Sequence, residues 1–243
     1  MRLRIINPNT TASMTDKIGA AALAVARPGT EIIAVNPASG PVSIESHFDE
    51  AIAAVGVCDE VRAGEATGTD AYVIACFGDP GLYAARELTR APVIGIAEAA
   101  FHMASLIATR FSVVTTLGRT GIVAERLLHE YGMANRCRRV RAAEIPVLAL
   151  ERNPQAAFEL IVEEALRARR EDGIGAIVLG CGGMADLTEQ IAQAVGLPVI
   201  EGVTAAVALA ESLVTLKLQT SKHGDLDFPP AKPFSGDFAR YSR

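Results

Sequence analysis

A short apolar stretch that ends in a cysteine occurs twice in this chain, and no other feature constrains the fold as strongly. The first copy begins at Ala71 and reaches Cys76 after a partly β-branched run. The second copy begins at Ala176 and has Cys181 at the matching place. The similarity continues downstream in two further pairs of segments, 92–94 with 198–200 and 99–100 with 205–206. The repeat predicts two half-chains of one design, each with a cysteine at the carboxyl end of a buried strand.

Apolar runs alternate with helical segments along the whole chain. The predicted strands are 3–6, 31–35, the run before Cys76, 93–96, 111–116, 139–143, the run before Cys181 and 199–200. The predicted helices are 11–26, 49–67, 79–90, 98–109, 120–131, 153–171, one after the Cys181 strand and 203–217. Asn9 or Thr10 is expected to cap the first helix, and Asp79 the third.

Strands that alternate with helices and are continuously apolar indicate parallel sheets covered on both faces. We therefore predict an α/β fold of two similar lobes, each a mostly four-stranded parallel sheet flanked by helices. The expected first lobe spans 1–100 and the second spans 101–202. The last helix, about 203–220, is expected to return to the first lobe, and 221–243 to form an irregular tail.

Ligands of open parallel sheets bind outside the carboxyl ends of the strands. The residues predicted to lie there are Asn7, Cys76, Phe77, Gly78, Asp79, Thr115, Thr116, Cys181, Gly182, Gly183 and Met184. The loop after the second strand runs on through Ser43 and Ile44, which is longer than a connector needs, so we expect it to be functional.

A thiol at a strand end beside a helix N-terminus lies near backbone N–H groups, which would lower a pKa that is ordinarily about 8.5. With one such thiol on each lobe, a flat substrate between Cys76 and Cys181 could lose a proton to one sulfur and regain it from the other on its opposite face. Glycines beside the cysteines, Gly78, Gly182 and Gly183, would let backbone N–H groups approach a developing enolate oxygen.

Composition excludes several other classes of function. The 243 residues are half apolar, which is enough for a substantial core, and the net charge is −5 without a long basic run. Nucleic-acid binding, which needs clustered Lys and Arg, is therefore not expected. The chain shows no apolar signal core and no apolar stretch of membrane-spanning length, so we expect a cytoplasmic protein without a membrane partner.

Each candidate residue also has a purely structural interpretation. Cysteine is among the most buried residue types, so a cysteine in an apolar run is more often inert, and only the repetition favours catalysis at positions 76 and 181. Cys58 falls inside a predicted helix and Cys137 in a basic loop. The glycines could serve packing, and Asn7 and Asp79 could be simple caps. The histidines have no counterpart in the other half, so we expect structural or surface roles for all four of them, although His47 lies beside the long loop: His47, His102, His129 and His223.

The segments around both cysteines and the opening Ile6-Asn7-Pro8-Asn9-Thr10 resemble the aspartate/glutamate/hydantoin racemase superfamily, specifically its hydantoin and allantoin racemase branch. The resemblance runs from Arg2 to about Ser221. It implies a cofactor-independent racemase of two pseudo-twofold related lobes with the active site in the cleft between them, and a homo-oligomer. It also implies that Cys76 and Cys181 are the acid/base pair.

The same resemblance implies the groups that would bind a substrate ring, namely Ser43, Ile44, Thr115, Thr116 and the amides after each cysteine. Amino-acid racemases of the superfamily place Asn-Thr or Thr after the catalytic cysteine, whereas Phe77-Gly78 and Gly182-Gly183 stand here. A glycine-lined apolar pocket suits a neutral ring better than a free carboxylate and ammonium. We therefore expect a small-molecule cyclic ureide, either a 5-monosubstituted hydantoin or allantoin, inverted at C5 without a cofactor or a metal.

Three alternatives remain open at this level. An isomerase of an amino acid or dicarboxylate would need a cationic or hydroxyl-rich cleft. A non-catalytic two-lobed binding protein would keep its function when both cysteines are replaced by alanine. A thiol redox protein would need a resolving cysteine near each candidate thiol, and neither Cys76 nor Cys181 has one in its sequence neighbourhood.

Overall fold

The computed structural model describes residues 1–242 and contains two parallel sheets with the same strand order. The first sheet has the order β2-β1-β3-β4 and is built from β1 Arg2–Ile6, β2 Glu31–Val35, β3 Ala71–Ile74 and β4 Val93–Gly95. The second has the order β6-β5-β7-β8 and is built from β5 Phe111–Thr115, β6 Cys137–Ala142, β7 Ala176–Leu179 and β8 Val199–Ile200. The prediction of an α/β fold with two lobes, each carrying a four-stranded parallel sheet, is confirmed.

Helices connect the strands at almost the predicted places. They are α1 Ala12–Val25, α2 His47–Glu65, α3 Leu82–Leu88, α4 Ile96–Ile107, α5 Gly118–Glu130, α6 Ala149–Arg152, α7 Pro154–Glu171, α8 Thr188–Val195 and α9 Gly202–Thr215. Short 3₁₀ helices cover Gly182–Leu187, directly after Cys181, and Gly236–Tyr241 in the tail. The prediction that Cys137 lies in a basic loop is wrong, because it is the first residue of β6.

Both predicted side-chain caps are also wrong. The N-cap of α1 is Thr11, which makes no side-chain cap, while the Asn9 carboxamide oxygen accepts the Thr11 amide at 2.9 Å. The third helix begins at Leu82 and not at Asp79-Pro80, because Asp79 (φ 44°) and Gly81 (φ 73°) both adopt left-handed backbone conformations that delay the helix. The Asp79 carboxylate serves a different helix, as described below.

A single apolar cluster joins the two lobes. It includes Ile5 and Val73 of the first sheet, Val113 and Val178 of the second, and Phe101 of α4. Phe101 packs edge-on against Phe77, with ring centroids 5.4 Å apart, and stacks on Phe111 at 5.8 Å. Because the core is continuous, burial of apolar surface holds the two sheets together with their carboxyl strand ends on one cleft.

Separate clusters cover the outer face of each sheet. Val57 and Val61 of α2 pack with Tyr72 and Ile74 of β3. In the second lobe, residues of α7 and α8 pack on β5 and β7. Both sheets are therefore buried on two faces, which explains why their strands are continuously apolar instead of alternating.

The last helix lies on the first lobe, where α9 packs against α1, α4, β3 and β4. This packing supports our proposal that the helix belongs to that lobe. The tail then runs along α2 and α3, where Lys222 Nζ donates to the Arg86 carbonyl at 2.6 Å and the Tyr241 hydroxyl donates to Asp59 at 2.7 Å. Arg243 of the predicted tail lies outside the described residues. None of the helices in residues 1–242 is long and apolar enough to span a membrane.

Candidate active site

The two repeated cysteines line one cavity of about 250 Å³ between the lobes. Each follows its strand by two residues, Cys76 after β3 and Cys181 after β7. Both are free thiols and both are partly exposed. Because β3 and β7 occupy the same position in their respective sheets, the repeat places one sulfur on each lobe.

Most of the predicted ring-binding residues also line the cavity. The first lobe contributes Ile44, Phe77 and Gly78 to its wall, and the second contributes Thr115, Thr116, Gly182 and Gly183. Thr115 makes a structural contact there, because its hydroxyl donates to the Gly180 carbonyl at 2.9 Å. That bond fixes the end of β7 just before Cys181.

Four predicted site residues do not line this cavity. The Asn7 carboxamide is buried and donates to Asn9 at 2.9 Å and to Thr15 at 3.0 Å, so it braces the turn after β1. Met184 is fully buried in the outer core of the second lobe. Ser43 precedes Ile44 in the same loop but does not line the cavity. The Asp79 carboxylate is directed toward α4, where it accepts the backbone amide of Ala97.

Sequence reasoning missed the polar residues at the mouth of the cavity. Glu45, Ser46, His47 and Glu50 belong to the end of the long first-lobe loop and the first turn of α2, and Arg119 and Thr120 belong to the first turn of α5. The length of the loop indicated a functional role, but only the fold shows that α2 and α5 begin beside the strand ends. His47, assigned in the sequence to structure or surface, is one of these wall residues.

Backbone amides act on both sulfurs in the same way. The Gly78 amide lowers the pKa of the Cys76 thiol, and the Gly183 amide lowers the pKa of the Cys181 thiol. In each case the donor lies two residues after the cysteine. The expectation that backbone amides near each sulfur favour the thiolate form is met at both positions, and stabilisation of an enolate oxygen by the same amides stays a prediction.

Burial nevertheless dominates the ionisation of both thiols. It raises the pKa of Cys181 to about 11, and it raises the pKa of Cys76 further, with smaller contributions from the charges of Cys181, Asp79 and Glu50. The expectation that the pKa values are lowered is therefore wrong. The amides oppose the shift, but they do not outweigh removal of the sulfur from water.

Two carboxylates at the cavity mouth connect the lobes. Glu45 Oε1 accepts the backbone amide of Val147, in the second lobe, at 2.8 Å. Glu50 lies 3.6 Å from the Arg126 guanidinium of α5 and 3.4 Å from His47 Nδ1. Negative charge on Glu45 raises the pKa of Cys181, and charge on Glu50 raises the pKa of Cys76. Of the carboxylates at the mouth, Glu45 thus acts on Cys181 and Glu50 acts on Cys76, in addition to Asp79.

The cavity offers acid/base groups rather than metal ligands. Among residues 1–242, no cluster of three or more His, Cys, Asp or Glu side chains could hold a metal ion. A thiol on each lobe, apolar walls from Phe77 and Val147, and hydroxyls at the rim suit the binding of a small planar molecule between two proton-transfer groups.

Comparison with known proteins agrees with this geometry. The model of the Asp/Glu/Hydantoin racemase family matches residues 3–210. A hydantoin racemase of Rhizobium meliloti is 50% identical over 97% of this chain and 98% of its own length, and one of Pseudomonas sp. strain NS671 is 46% identical over 100% and 98%. The solved allantoin racemase from Klebsiella pneumoniae is 60% identical, with a TM-score of 0.97 over 100% of this chain and 99% of its own. The chain belongs to the Asp/Glu/hydantoin racemase family.

Proposed function

We propose that this protein is a racemase that inverts C5 of a hydantoin-type ring, either a 5-monosubstituted hydantoin or allantoin, by proton transfer between Cys76 and Cys181. The observation that carries the proposal is the presence of both thiols, from matching strand ends, on one cavity. The relatives described as hydantoin and allantoin racemases support the substrate class, since they align over nearly the whole chain.

In the proposed reaction, one sulfur acts as a thiolate and takes the C5 hydrogen as a proton. The electron pair of the broken C–H bond moves into the adjacent ring carbonyl and gives an enolate. The thiol on the opposite face then returns a proton to C5, so that the stereocentre is inverted and the two sulfurs have exchanged protonation states. The reverse reaction uses the same groups in exchanged roles.

The raised pKa values fit this chemistry in one respect and limit it in another. A thiolate whose conjugate acid has a pKa of about 11 is a strong base, which suits the removal of a proton from carbon. The same shift makes the thiolate rare at neutral pH. The Gly78 and Gly183 amides would hold the charge on whichever sulfur is ionised, and the Thr116 hydroxyl on the wall is a candidate group for the ring oxygen.

The experiment is a racemisation assay on pure enantiomers of allantoin and of a 5-alkyl hydantoin, followed by chiral chromatography. The proposal predicts racemisation of at least one of these rings and none of glutamate or aspartate. Racemisation of the free amino acids alone would favour the amino-acid alternative. Absence of activity on every compound, with the cysteines unoxidised, would contradict the proposal.

We also propose that the enzyme works as a cytoplasmic homo-oligomer, as the family resemblance implies. Its assembly can be measured by sedimentation velocity over a range of protein concentrations. A single species with the mass of one 243-residue chain at all concentrations would contradict this proposal.

A further inference from the structure

Asp79 lies three residues after Cys76 and connects the Cys76 loop to two other parts of the molecule. Its backbone amide donates to the Cys76 carbonyl at 3.0 Å, which closes the turn that carries the thiol. The residue is buried and has φ 44°, a conformation that costs free energy for a residue with a side chain. Such a conformation persists where surrounding contacts hold it.

Those contacts are made by the carboxylate. Its two oxygens accept the backbone amides of Ala97 at 3.1 Å and Glu98 at 3.0 Å, in the first turn of α4. One oxygen also accepts the hydroxyl of Tyr131 at 2.9 Å, from the end of α5 in the second lobe. Asp79 therefore caps a helix far along the chain and bridges the lobes at the same time.

In the second sequence repeat, the corresponding helix is capped without the cysteine loop. By the sequence repeat, Val203 and Thr204 of α9 match Ala97 and Glu98 of α4. Their amides are bound by the carboxylate of Glu201, the N-cap residue of α9 itself. The residue that matches Asp79 is Met184, which is apolar.

The first lobe has exchanged this local cap for a distant one. The position that matches Glu201 is Gly95, the N-cap residue of α4. A β-carbon on Gly95 would collide with the carboxyl group of Asp79, so the space left by the missing side chain is occupied by that carboxyl group. Because Asp79 replaces a local cap, its hydrogen bonds tie the Cys76 loop to α4 and to Tyr131. The matching residue of the Cys181 loop, Met184, can make no such hydrogen bonds.

We infer that Asp79 is a positioning residue for Cys76: by capping α4 and accepting the Tyr131 hydroxyl, it sets the place of the Cys76 sulfur on one face of the substrate. The inference rests on the proposed two-cysteine racemisation. It predicts that breaking the tie impairs proton transfer mainly on the Cys76 face, because no hydrogen bond of the Asp79 carboxylate reaches the Cys181 loop. A misplacement of about 1 Å can cost on the order of 100-fold in rate.

The test measures hydrogen–deuterium exchange at C5 from each pure enantiomer, after Cys76→Ser and Cys181→Ser have shown which enantiomer each sulfur deprotonates. In Asp79→Asn, the side-chain NH₂ group replaces one carboxylate oxygen, so one of the two backbone N–H groups of α4 loses its acceptor. We expect the ratio of Cys76-face to Cys181-face exchange to fall by about tenfold or more. The matched control, Glu201→Gln, makes the same change in the cap of α9 and should leave the ratio within about twofold.

Tyr131→Phe provides the second variant, since it removes only the hydrogen bond between Tyr131 and Asp79 and keeps the carboxyl group of Asp79. It should lower the same ratio by a smaller factor, and it decides the matter if Asp79→Asn does not fold. An unchanged or increased ratio in the folded variants, or an equal fall with Glu201→Gln, would overturn the inference. Absence of exchange in the wild-type enzyme would instead contradict the proposed function.

Discussion

Gly182 lies directly against the carbonyl group of Ala75, so that a β-carbon at position 182 would come within 2.7 Å of that oxygen. Ala75 precedes Cys76, and Gly182 follows Cys181. The two cysteine loops therefore touch through their backbones, each beside its own sulfur. A side chain at position 182 would force these two loops, and hence the two thiols, apart.

Gly182→Ala should destabilise the protein and lower racemisation, because the new methyl group meets a backbone oxygen that cannot move without shifting the Cys76 loop. We expect a loss of about 1–3 kcal/mol in the free energy of unfolding, which is typical of overpacking. Denaturant unfolding and the racemisation rate provide the two measurements.

Gly183→Ala is the matched control for that variant. Its β-carbon would lie 3.1 Å from Leu150 Cδ1 and 3.5 Å from Met14 Cε, which are the ends of flexible side chains. We expect a smaller loss of stability than at position 182. Equal losses in the two variants would show that the backbone contact between the loops is not limiting.

The unequal rise of the two thiol pKa values predicts unequal reactivity. At any given pH, iodoacetamide should modify Cys181 faster than Cys76, because the pKa of Cys181 is raised less. Peptide mass spectrometry after a timed reaction measures both rates in one sample. Faster modification of Cys76 would contradict the assigned order of ionisation.

The two carboxylates at the cavity mouth should tune the thiols separately. Glu45→Gln removes charge near Cys181, and Glu50→Gln removes charge near Cys76, so each should lower the pKa of its own thiol and increase its alkylation rate at fixed pH. The other thiol serves as the internal control in each variant. An equal change at both cysteines would mean that the effect is a general opening of the cleft.

The raised pKa of Asp79 predicts that the free energy of unfolding depends on pH. Burial raises its pKa from the ordinary 3.8 to about 7, against the opposing hydrogen bonds from Ala97, Glu98 and Tyr131, while the charge of Glu98 adds to the rise. Between about pH 4 and pH 7 the unfolded chain has released this proton and the folded chain retains it. The contribution of the Asp79 pKa shift to the free energy of unfolding is thus fully present below pH 4 and is lost as the pH rises to 7.

The measurement compares urea unfolding of the wild-type protein and Asp79→Asn from pH 4 to pH 8 at constant protein concentration. The wild type should lose stability relative to the variant as the pH rises, by at most about 4 kcal/mol in total. The difference should be constant above pH 7 to 8. A difference that is independent of pH throughout would refute the raised pKa.

The repeat around Cys76 and Cys181 was sufficient to predict the two sheets, because continuous apolar runs with short connections leave few ways to bury both faces of each strand. It also predicted that both thiols lie at strand ends. The same local reasoning failed at Asp79-Pro80, which has the sequence of a helix start. There the carboxylate is bound by amides of α4, and no local pattern encodes a contact 18 residues away.

The ionisation of the thiols and the mouth of the cavity were also beyond sequence reasoning. A strand-end position predicts nearby amide donors, and these are present at Gly78 and Gly183, but the extent of burial that outweighs them depends on how the two lobes pack together. The roles of Glu45 and Glu50 follow only from the packing, which brings the end of the long loop and the first turn of α2 to the cavity. Tertiary contacts, and not spacing in the chain, determine both properties.

The central claim is that each thiol serves one face of the substrate, and exchange at C5 tests it most directly. Deuterium incorporation from solvent is followed for each pure enantiomer with the wild type, Cys76→Ser and Cys181→Ser. We expect both variants to lose racemisation, because a hydroxyl is too weak a base at neutral pH. Each should retain exchange from one enantiomer only, and the two variants should retain opposite ones. Full racemisation by either variant would contradict the account.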